Sequence, residues 1–303
     1  MKQPEQTPAY TIDDLRYLMA RLRDPKTGCP WDLKQTPRSI INYSIEEVYE
    51  LADAIESDNQ DDICGELGDV LFQVIFFAQL AEEDQHFDLD TVVTQLCTKL
   101  VNRHPHIFTD GTLYGDDRDK VSTPSIHSAG DVAQSWEQIK AAERADKQRD
   151  GIFDDIPLAL PATARAHKLQ KRAAGVGFDW SDAEGALAKL KEEIAELEAL
   201  LEQPDVDSHP DQPVDPSAPH FLRLQEELGD IFFSVVNVSR KLGVQSEQAL
   251  RLANAKFMDR VSKVVAQYRS EHGVDAASLI PEDVLDELWE QVKRSAYQEE
   301  CRK

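Results

Sequence analysis

Apolar residues recur at spacings of three and four along most of the chain, which is the period of an amphipathic helix. A sustained alternation of apolar and polar residues, which would indicate half-buried strands, is missing from the sequence. The pattern therefore predicts an all-α fold. The clearest helical segments are residues 11–22, 45–55, 89–104, 185–201 and 247–268.

Two polar segments interrupt the helical pattern. Residues 109–131 and residues 203–220 are predicted to be mobile loops, and the second is rich in Pro and Asp, which cannot continue a helix. A third segment, residues 150–163, contains Pro157 and Pro161 and is predicted to join two structural units. We therefore expect one unit over residues 10–149 and a second over residues 150–303.

The two predicted units share short stretches of similar sequence in the same order, which indicates a duplicated structure. One example is "ELGDVLF" at residues 66–72, which returns as "ELGDIFF" at residues 227–233. The other matched ranges are 28–32 with 177–180, 46–50 with 192–196, 99–103 with 256–260, and 136–140 with 289–293.

Each unit carries two pairs of carboxylates at spacing i, i+3, which places the members of a pair on one face of a helix. If the two helices are antiparallel neighbours, the four carboxylates of a unit converge. A single pair of this kind is more often only a solvated helix face. The acids are Glu47, Glu50, Glu66 and Asp69 in the first unit, and Glu193, Glu196, Glu227 and Asp230 in the second.

The residues after Asp69 and Asp230 are apolar nearly all round, which predicts helices enclosed by other helices. Acids at the head of such helices are partly desolvated, so they protonate or repel one another unless a cation neutralises them. Carboxylates without His or Cys favour Mg²⁺, for which Mn²⁺ can substitute. Because Mg²⁺ commonly binds substrate phosphates, we expect a phosphate ester or anhydride as substrate.

The formal net charge of −24 opposes binding to nucleic acid or to an anionic membrane. The four cysteines form no CxxC pair, so neither a zinc site nor a disulfide framework is indicated. No continuous apolar run reaches membrane-spanning length, and the first residues lack the order of a secretory signal. The sequence therefore predicts a cytoplasmic protein.

A few basic and aromatic residues fit a phosphate substrate. Lys256 and Arg260 lie one helical turn apart and, with Lys293, could reach phosphates, while Trp289 could stack on a base. The plainer interpretation is surface solubility for each cation and core packing for the Trp. The recurrence of this set in the first unit favours function, and its members there are Lys99, Arg103, Trp136 and Lys140.

The motifs EExxE and ExxD, repeated in two all-α units, resemble those of the MazG-type nucleoside triphosphate pyrophosphohydrolases. The stretches "RDPKTGCPWD", "RHPHIF" and "GVGFDW" extend this resemblance over nearly the whole chain. The resemblance implies cleavage of (d)NTPs to (d)NMP and pyrophosphate, Mg²⁺ dependence, broad base tolerance and a house-cleaning or stress-related role. It also implies a homodimer whose subunits complete helical bundles together.

Carried over by position, the resemblance implies metal ligands in both units at the eight acids given above. Glu192 or one of the quartet is a candidate proton acceptor. Because Arg223 precedes the second ExxD motif where the first unit has Asp62, we expect the second unit to be catalytic. The implied nucleotide contacts are Arg223, Lys256, Arg260, Trp289 and Lys293.

Two other functions stay open at this point. One is a helical scaffold or nucleotide-sensing dimer, which would bind nucleotides without turnover. The other is a narrower pyrophosphohydrolase that acts on dUTP, phosphoribosyl-ATP or a guanosine alarmone. The sequence contains no Walker-type loop, so a P-loop NTPase is not supported.

Overall fold

The computed structural model describes residues 9–115, 139, 151–202, 218–273 and 279–300, without the side chains of residues 297, 299 and 300. Within these ranges the protein is helical and contains no β-strand, which confirms the predicted fold class. The chain divides into two compact units, residues 1–140 and 141–303. Most of the two predicted loops, together with Trp136 and Lys140, lies outside the described residues.

The first unit is built from four described α-helices and one 3₁₀ helix. Helices α2 and α3 pack along each other, and both α1 and α4 pack on α3. Met19, Ile40, Ile75, Phe76 and Leu80 form its buried core. The elements are α1 (Ile12–Leu22), the 3₁₀ helix (Asp32–Lys34), α2 (Pro37–Glu56), α3 (Gln60–Glu83) and α4 (Leu89–Arg103).

The turn between α2 and α3 brings the two helices side by side. It contains three residues, and Asp58 takes a left-handed φ of 55° there. Asn59 caps α3 because its side-chain oxygen accepts hydrogen bonds from the backbone N–H groups of Asp61 and Asp62. Since so short a connection between packed helices makes them antiparallel, the carboxylate-bearing turns of α2 and α3 face each other.

The second unit contains five described helices. Helix α6 packs against α7, α5 contacts both α7 and α8, and α9 packs against α8. Val264, Leu288 and Val292 form a small core between α8 and α9. The helices are α5 (Ala162–Ala174), α6 (Ala183–Leu201), α7 (Pro219–Lys241), α8 (Ser246–His272) and α9 (Glu282–Glu300).

A tight segment after α5, residues 175–180, folds back and is held against the end of α7. Gly177 takes a φ of 87°, a conformation that favours glycine, and the next residue, Phe178, donates its N–H to the carbonyl of Ala173 at 3.0 Å. The carboxylate of Asp179 accepts hydrogen bonds from Arg240 and from Lys241, whose Nζ lies at 2.7 Å. We call this segment the aromatic loop, because it carries Phe178 and Trp180.

In the part of the chain that the structure describes, the long apolar helices α3 and α7 keep exposed apolar side chains. Their enclosure by other helices stays a prediction, and it depends on the predicted dimer. On α3, Leu67 is 53% exposed, and on α7, Phe232 is 67% exposed. The pattern of apolar residues does not say which surface covers them. By length and composition alone α3 could span a membrane, a property that core helices of soluble proteins share.

Candidate active site

Three carboxylates of the first unit converge between α2 and α3. Oxygen atoms of Glu47 from α2 and of Glu66 and Asp69 from α3 all lie within 4.8 Å of one another. Burial, followed by the negative charges of Asp69 and Glu50, raises the pKa of Glu47. Burial and the charge of Glu50 also raise the pKa of Glu66. Glu50 therefore acts on the group electrostatically without being one of the three that meet.

The second unit forms a matching group between α6 and α7. Oxygen atoms of Glu193 and Glu196 from α6 and of Glu227 from α7 also lie within 4.8 Å of one another. Glu193 is buried at 5% exposure, and burial together with Glu193 and Glu227 raises the pKa of Glu196. Asp230, the fourth predicted member, is exposed and lies outside the three.

Both groups fit a hard divalent cation. Each offers three carboxylates from two helices, and neither includes a His or Cys side chain. Like charges held this close raise one another's pKa values, and a divalent cation removes that repulsion. Oxygen-only ligands suit Mg²⁺ or Mn²⁺ better than zinc, which prefers nitrogen and sulfur donors.

Lys189 adds a cation to the second group. Its Nζ lies 2.6 Å from Glu192 Oε1 and 2.8 Å from Glu193 Oε1, and these contacts hold the pKa of Lys189 above its usual value. The first unit has Tyr43 at the corresponding position, and the ring of Tyr43 packs edge-on against Trp31. The sequence analysis missed Lys189, because a lysine three and four residues before glutamates resembles an ordinary surface ion pair.

The predicted nucleotide contacts lie on three helices. Arg223 is exposed on α7, one turn before Glu227. Lys256 is exposed on α8. Arg260 lies on the same helix and is half-buried, and its enclosed Nε has no hydrogen-bond partner among the described residues. On α9, which packs against α8, Trp289 lies 5.8 Å from the Phe257 ring and Lys293 pairs with Glu290 at 2.7 Å.

Most of these contacts lie on other helices than the carboxylates. The converging carboxylates come from α6 and α7, whereas four of the five predicted contacts lie on α8 and α9. The corresponding cations of the first unit, Lys99 and Arg103, lie on α4. Their role as nucleotide contacts stays a prediction.

A family model for the MazG nucleotide pyrophosphohydrolase domain matches the chain twice, over residues 35–108 and residues 182–265. The chain belongs to the MazG family. The "Nucleoside triphosphate pyrophosphohydrolase" of Escherichia coli (strain K12) is 42% identical over 287 residues, which cover 93% of this chain and 97% of that protein.

Two further relatives of the MazG chain differ in coverage. The "Nucleoside triphosphate pyrophosphohydrolase/pyrophosphatase MazG" of Thermotoga maritima is 39% identical over 93% of this chain and 95% of its own length. The "Nucleoside triphosphate pyrophosphohydrolase" of Mycolicibacterium smegmatis is 38% identical over 58% of this chain and 49% of its own length. The predicted resemblance is thus confirmed over nearly the full chain.

The two matched MazG segments contain both carboxylate groups. The first segment spans α2, α3 and α4, and the second spans α6, α7 and most of α8. Trp289 and Lys293 lie after the second segment, and all of α5 lies before it. The duplicated MazG domain is therefore centred on the helix pairs that bring the acids together.

Proposed function

We propose that this MazG protein is a nucleoside triphosphate pyrophosphohydrolase, which converts (d)NTP and water to (d)NMP and pyrophosphate with broad base tolerance. The observation that carries the proposal is the group of Glu193, Glu196 and Glu227, which offers convergent oxygen ligands in a compact helical unit. The names of relatives that align along nearly the whole chain support the same reaction.

The second carboxylate group is the proposed site for Mg²⁺, for which Mn²⁺ can substitute. Glu193, Glu196 and Glu227 would hold the ion, and Asp230 is the fourth proposed ligand, one helical turn after Glu227. When bound, the ion would neutralise phosphate charge and make a bound water more acidic. A carboxylate of this cluster that the ion does not engage would be the proton acceptor, and Glu192, which contacts Lys189 beside the group, is the candidate for this role.

Cations of the second unit are proposed to bind the phosphate chain. Lys189 already lies among the carboxylates, so its ammonium group is placed to contact a phosphate once an ion takes over Glu193. Arg223, Lys256, Arg260 and Lys293 are the further proposed phosphate contacts, and Trp289 is the proposed base contact.

The second unit is the proposed catalytic one. In this unit Lys189 contacts the carboxylate group, and Arg223 lies one helical turn before Glu227. The first unit has Tyr43 and Asp62 at these two positions, so a triphosphate would meet no positive charge from either of them. In the first unit, Glu47, Glu50, Glu66 and Asp69 remain proposed metal ligands.

Homodimerisation is part of the proposal, and the exposed apolar faces of α3 and α7 support it. Contiguous apolar surface of this kind is rare on soluble monomers and marks contact with another surface. The charge of −24 supports a protein without nucleic-acid or membrane partners. A cytoplasmic house-cleaning or stress-related role completes the proposal.

Product analysis tests this function. The purified protein is incubated with each (d)NTP and Mg²⁺, and NMP with pyrophosphate is separated from NDP with phosphate; the reaction is repeated with Ca²⁺ and with a chelator. We expect NMP and pyrophosphate only with Mg²⁺ or Mn²⁺. Formation of NDP and phosphate, or nucleotide binding without turnover, would overturn the proposal, and the second result would favour the sensor or scaffold function.

A further inference from the structure

Lys189 bridges two carboxylates at the second carboxylate group. Its Nζ lies 2.6 Å from Glu192 Oε1 and 2.8 Å from Glu193 Oε1. Glu193 is one of the three converging acids, and its side chain is only 7% exposed. A buried carboxylate is costly unless a counter-charge accompanies it. The ammonium group of Lys189 therefore supplies positive charge at the place where a metal ion would supply it.

The order of these residues along α6 does not by itself favour the contact. A lysine that precedes a glutamate by four residues stabilises a helix less than a lysine that follows one, because of the helix dipole. Lys191, which is exposed on the same helix, forms no ion pair among the described residues. The position of Lys189 is thus better explained by the burial of Glu193 than by a general preference of the helix.

The first carboxylate group has no cation at the corresponding position. Tyr43 stands there, one helical turn before Glu47, and its ring centroid lies 6.0 Å from that of Trp31. Among the described residues, no lysine or arginine forms an ion pair with the three converging acids of this group. The groups whose charges act on Glu47 are Asp69, Glu50, Glu66 and Glu46. The two units therefore offer similar ligands in opposite surroundings.

A divalent ion that enters the second group meets Lys189 as a competitor. To coordinate Glu193, the ion must displace the ammonium group from the carboxylate or be repelled by it at short distance. The Lys189 side chain is 36% exposed and has a long flexible stem, so it can turn toward solvent, but it then loses both contacts. An ion at the first group displaces no such contact, so the free ion should bind more weakly in the second unit.

A phosphate chain changes this balance, because it offers the displaced lysine a new anionic partner. Arg223, exposed one helical turn before Glu227, adds a second positive charge on the neighbouring helix. The first unit has Asp62 at that position, and its charge repels a phosphate. The second group therefore gains its ion more readily when a phosphate chain arrives with it.

We propose that Lys189 is a resident cation that makes metal binding in the second unit depend on the triphosphate, whereas the first unit binds a divalent ion without nucleotide. This dependence rests on the proposed function, and it sets the order in which the components of the reaction assemble. By linkage, the ion strengthens triphosphate binding by the same factor as the triphosphate strengthens binding of the ion. The second unit then holds its metal chiefly when a substrate is present.

Equilibrium dialysis of the full chain against Mn²⁺ tests the proposed difference between the units. Glu66→Gln removes a ligand of the first group, and Glu227→Gln removes a ligand of the second, so each variant isolates the other group. Without nucleotide, we expect Mn²⁺ to bind Glu66→Gln about tenfold more weakly than Glu227→Gln, a factor within the usual range for coupled sites. CD spectra and thermal melting establish that each variant is folded.

Lys189→Met tests whether the lysine causes the difference. Added to Glu66→Gln, it is expected to tighten Mn²⁺ binding by about tenfold, while Lys191→Met in the same background leaves binding unchanged. The nucleotide probe is a triphosphate with a methylene bridge between its α and β phosphorus atoms, which the proposed reaction cannot cleave. At a low Mn²⁺ concentration, this probe is expected to raise the Mn²⁺ bound to Glu66→Gln, and to raise it less once Lys189→Met is added.

Three results would overturn the proposal. The first is equal Mn²⁺ affinity of Glu66→Gln and Glu227→Gln without nucleotide. The second is a folded Lys189→Met variant that binds Mn²⁺ no more tightly than its parent. The third is an equal gain in Lys189→Met and Lys191→Met, which would show an effect of net charge and not of the ion pair. If the wild-type protein still forms NMP and pyrophosphate, these results leave the proposed function intact; no Mn²⁺ binding to either group, with or without the probe, would overturn both.

Discussion

Replacing Lys189 with Met is predicted to have opposite effects on metal binding and on turnover. The substitution keeps a long unbranched side chain and removes the charge that contacts Glu192 and Glu193. In the metal-free protein, Glu193 would be left buried beside Glu196 and Glu227 without this counter-charge. A divalent ion would then bind without having to displace or repel a lysine.

The magnitude follows from the burial of the two partners. Removing one member of a fully buried ion pair costs about 3–5 kcal/mol, and removing one member of an exposed pair costs about 0–1 kcal/mol. The Glu193 side chain is 7% exposed and the Lys189 side chain 36%, so the pair is intermediate. We therefore expect an effect between these two limits, which lowers the melting temperature of a unit of this size by a few degrees.

Thermal melting in EDTA and in a series of Mg²⁺ and Mn²⁺ concentrations measures both effects. Lys191→Met is the matched control, since Lys191 is exposed on the same helix, two positions further on. Lys189→Met is expected to melt lower than the control in EDTA, to gain more from added metal, and to hydrolyse triphosphates more slowly. Equal melting temperatures and equal metal responses in the two variants would refute this reasoning.

Four further substitutions test other features of the second unit. Glu227→Gln or Asp230→Asn is expected to abolish turnover in a protein whose CD spectrum is unchanged, and near-normal rates in either would remove that residue from the mechanism. Lys256→Ala is expected to lower kcat/KM for triphosphates through loss of a phosphate contact, and an unchanged kcat/KM would make Lys256 a bystander. The Arg240 and Lys241 contacts lower the pKa of Asp179 to about 2 from 3.8, so its contribution to stability is present above pH 4 and is lost as the pH falls toward 2. Asp179→Asn should therefore cost about 1 kcal/mol near neutral pH, after allowance for solvent screening, and progressively less as the pH falls from about 4 to about 2, as measured by denaturant unfolding.

The sequence predicted which helices carry the acids but not which acids meet. Spacing i, i+3 places two carboxylates on one face of a helix, while the packing of the partner helix decides which of them reaches the shared space. The two units differ in this respect, because α2 contributes one acid and α3 two, whereas α6 contributes two and α7 one. Glu50 and Asp230 are left out for this reason, which depends on contacts distant in sequence.

Lys189 was not predicted as part of the second carboxylate group, for a physical reason. It looks like half of a surface ion pair until Glu193 is seen to be buried. The missing information was burial, which a local pattern gives only on average.

In the proposed homodimer, the exposed faces of α3 and α7 would each have to pair with the correct partner face. Segments of one chain meet at an effective concentration in the millimolar range. Two similar apolar faces of that chain can therefore pair with each other before either meets a second chain. The aligned exposed residues are Leu67, Leu71 and Val74 on α3, and Leu228, Phe232 and Val235 on α7. Two of these three positions are alike, and only Leu71 and Phe232 differ strongly in bulk. In the proposed homodimer, the ring of Phe232 would make the α7 face bulkier than the α3 face at this position, so the two faces would not be interchangeable.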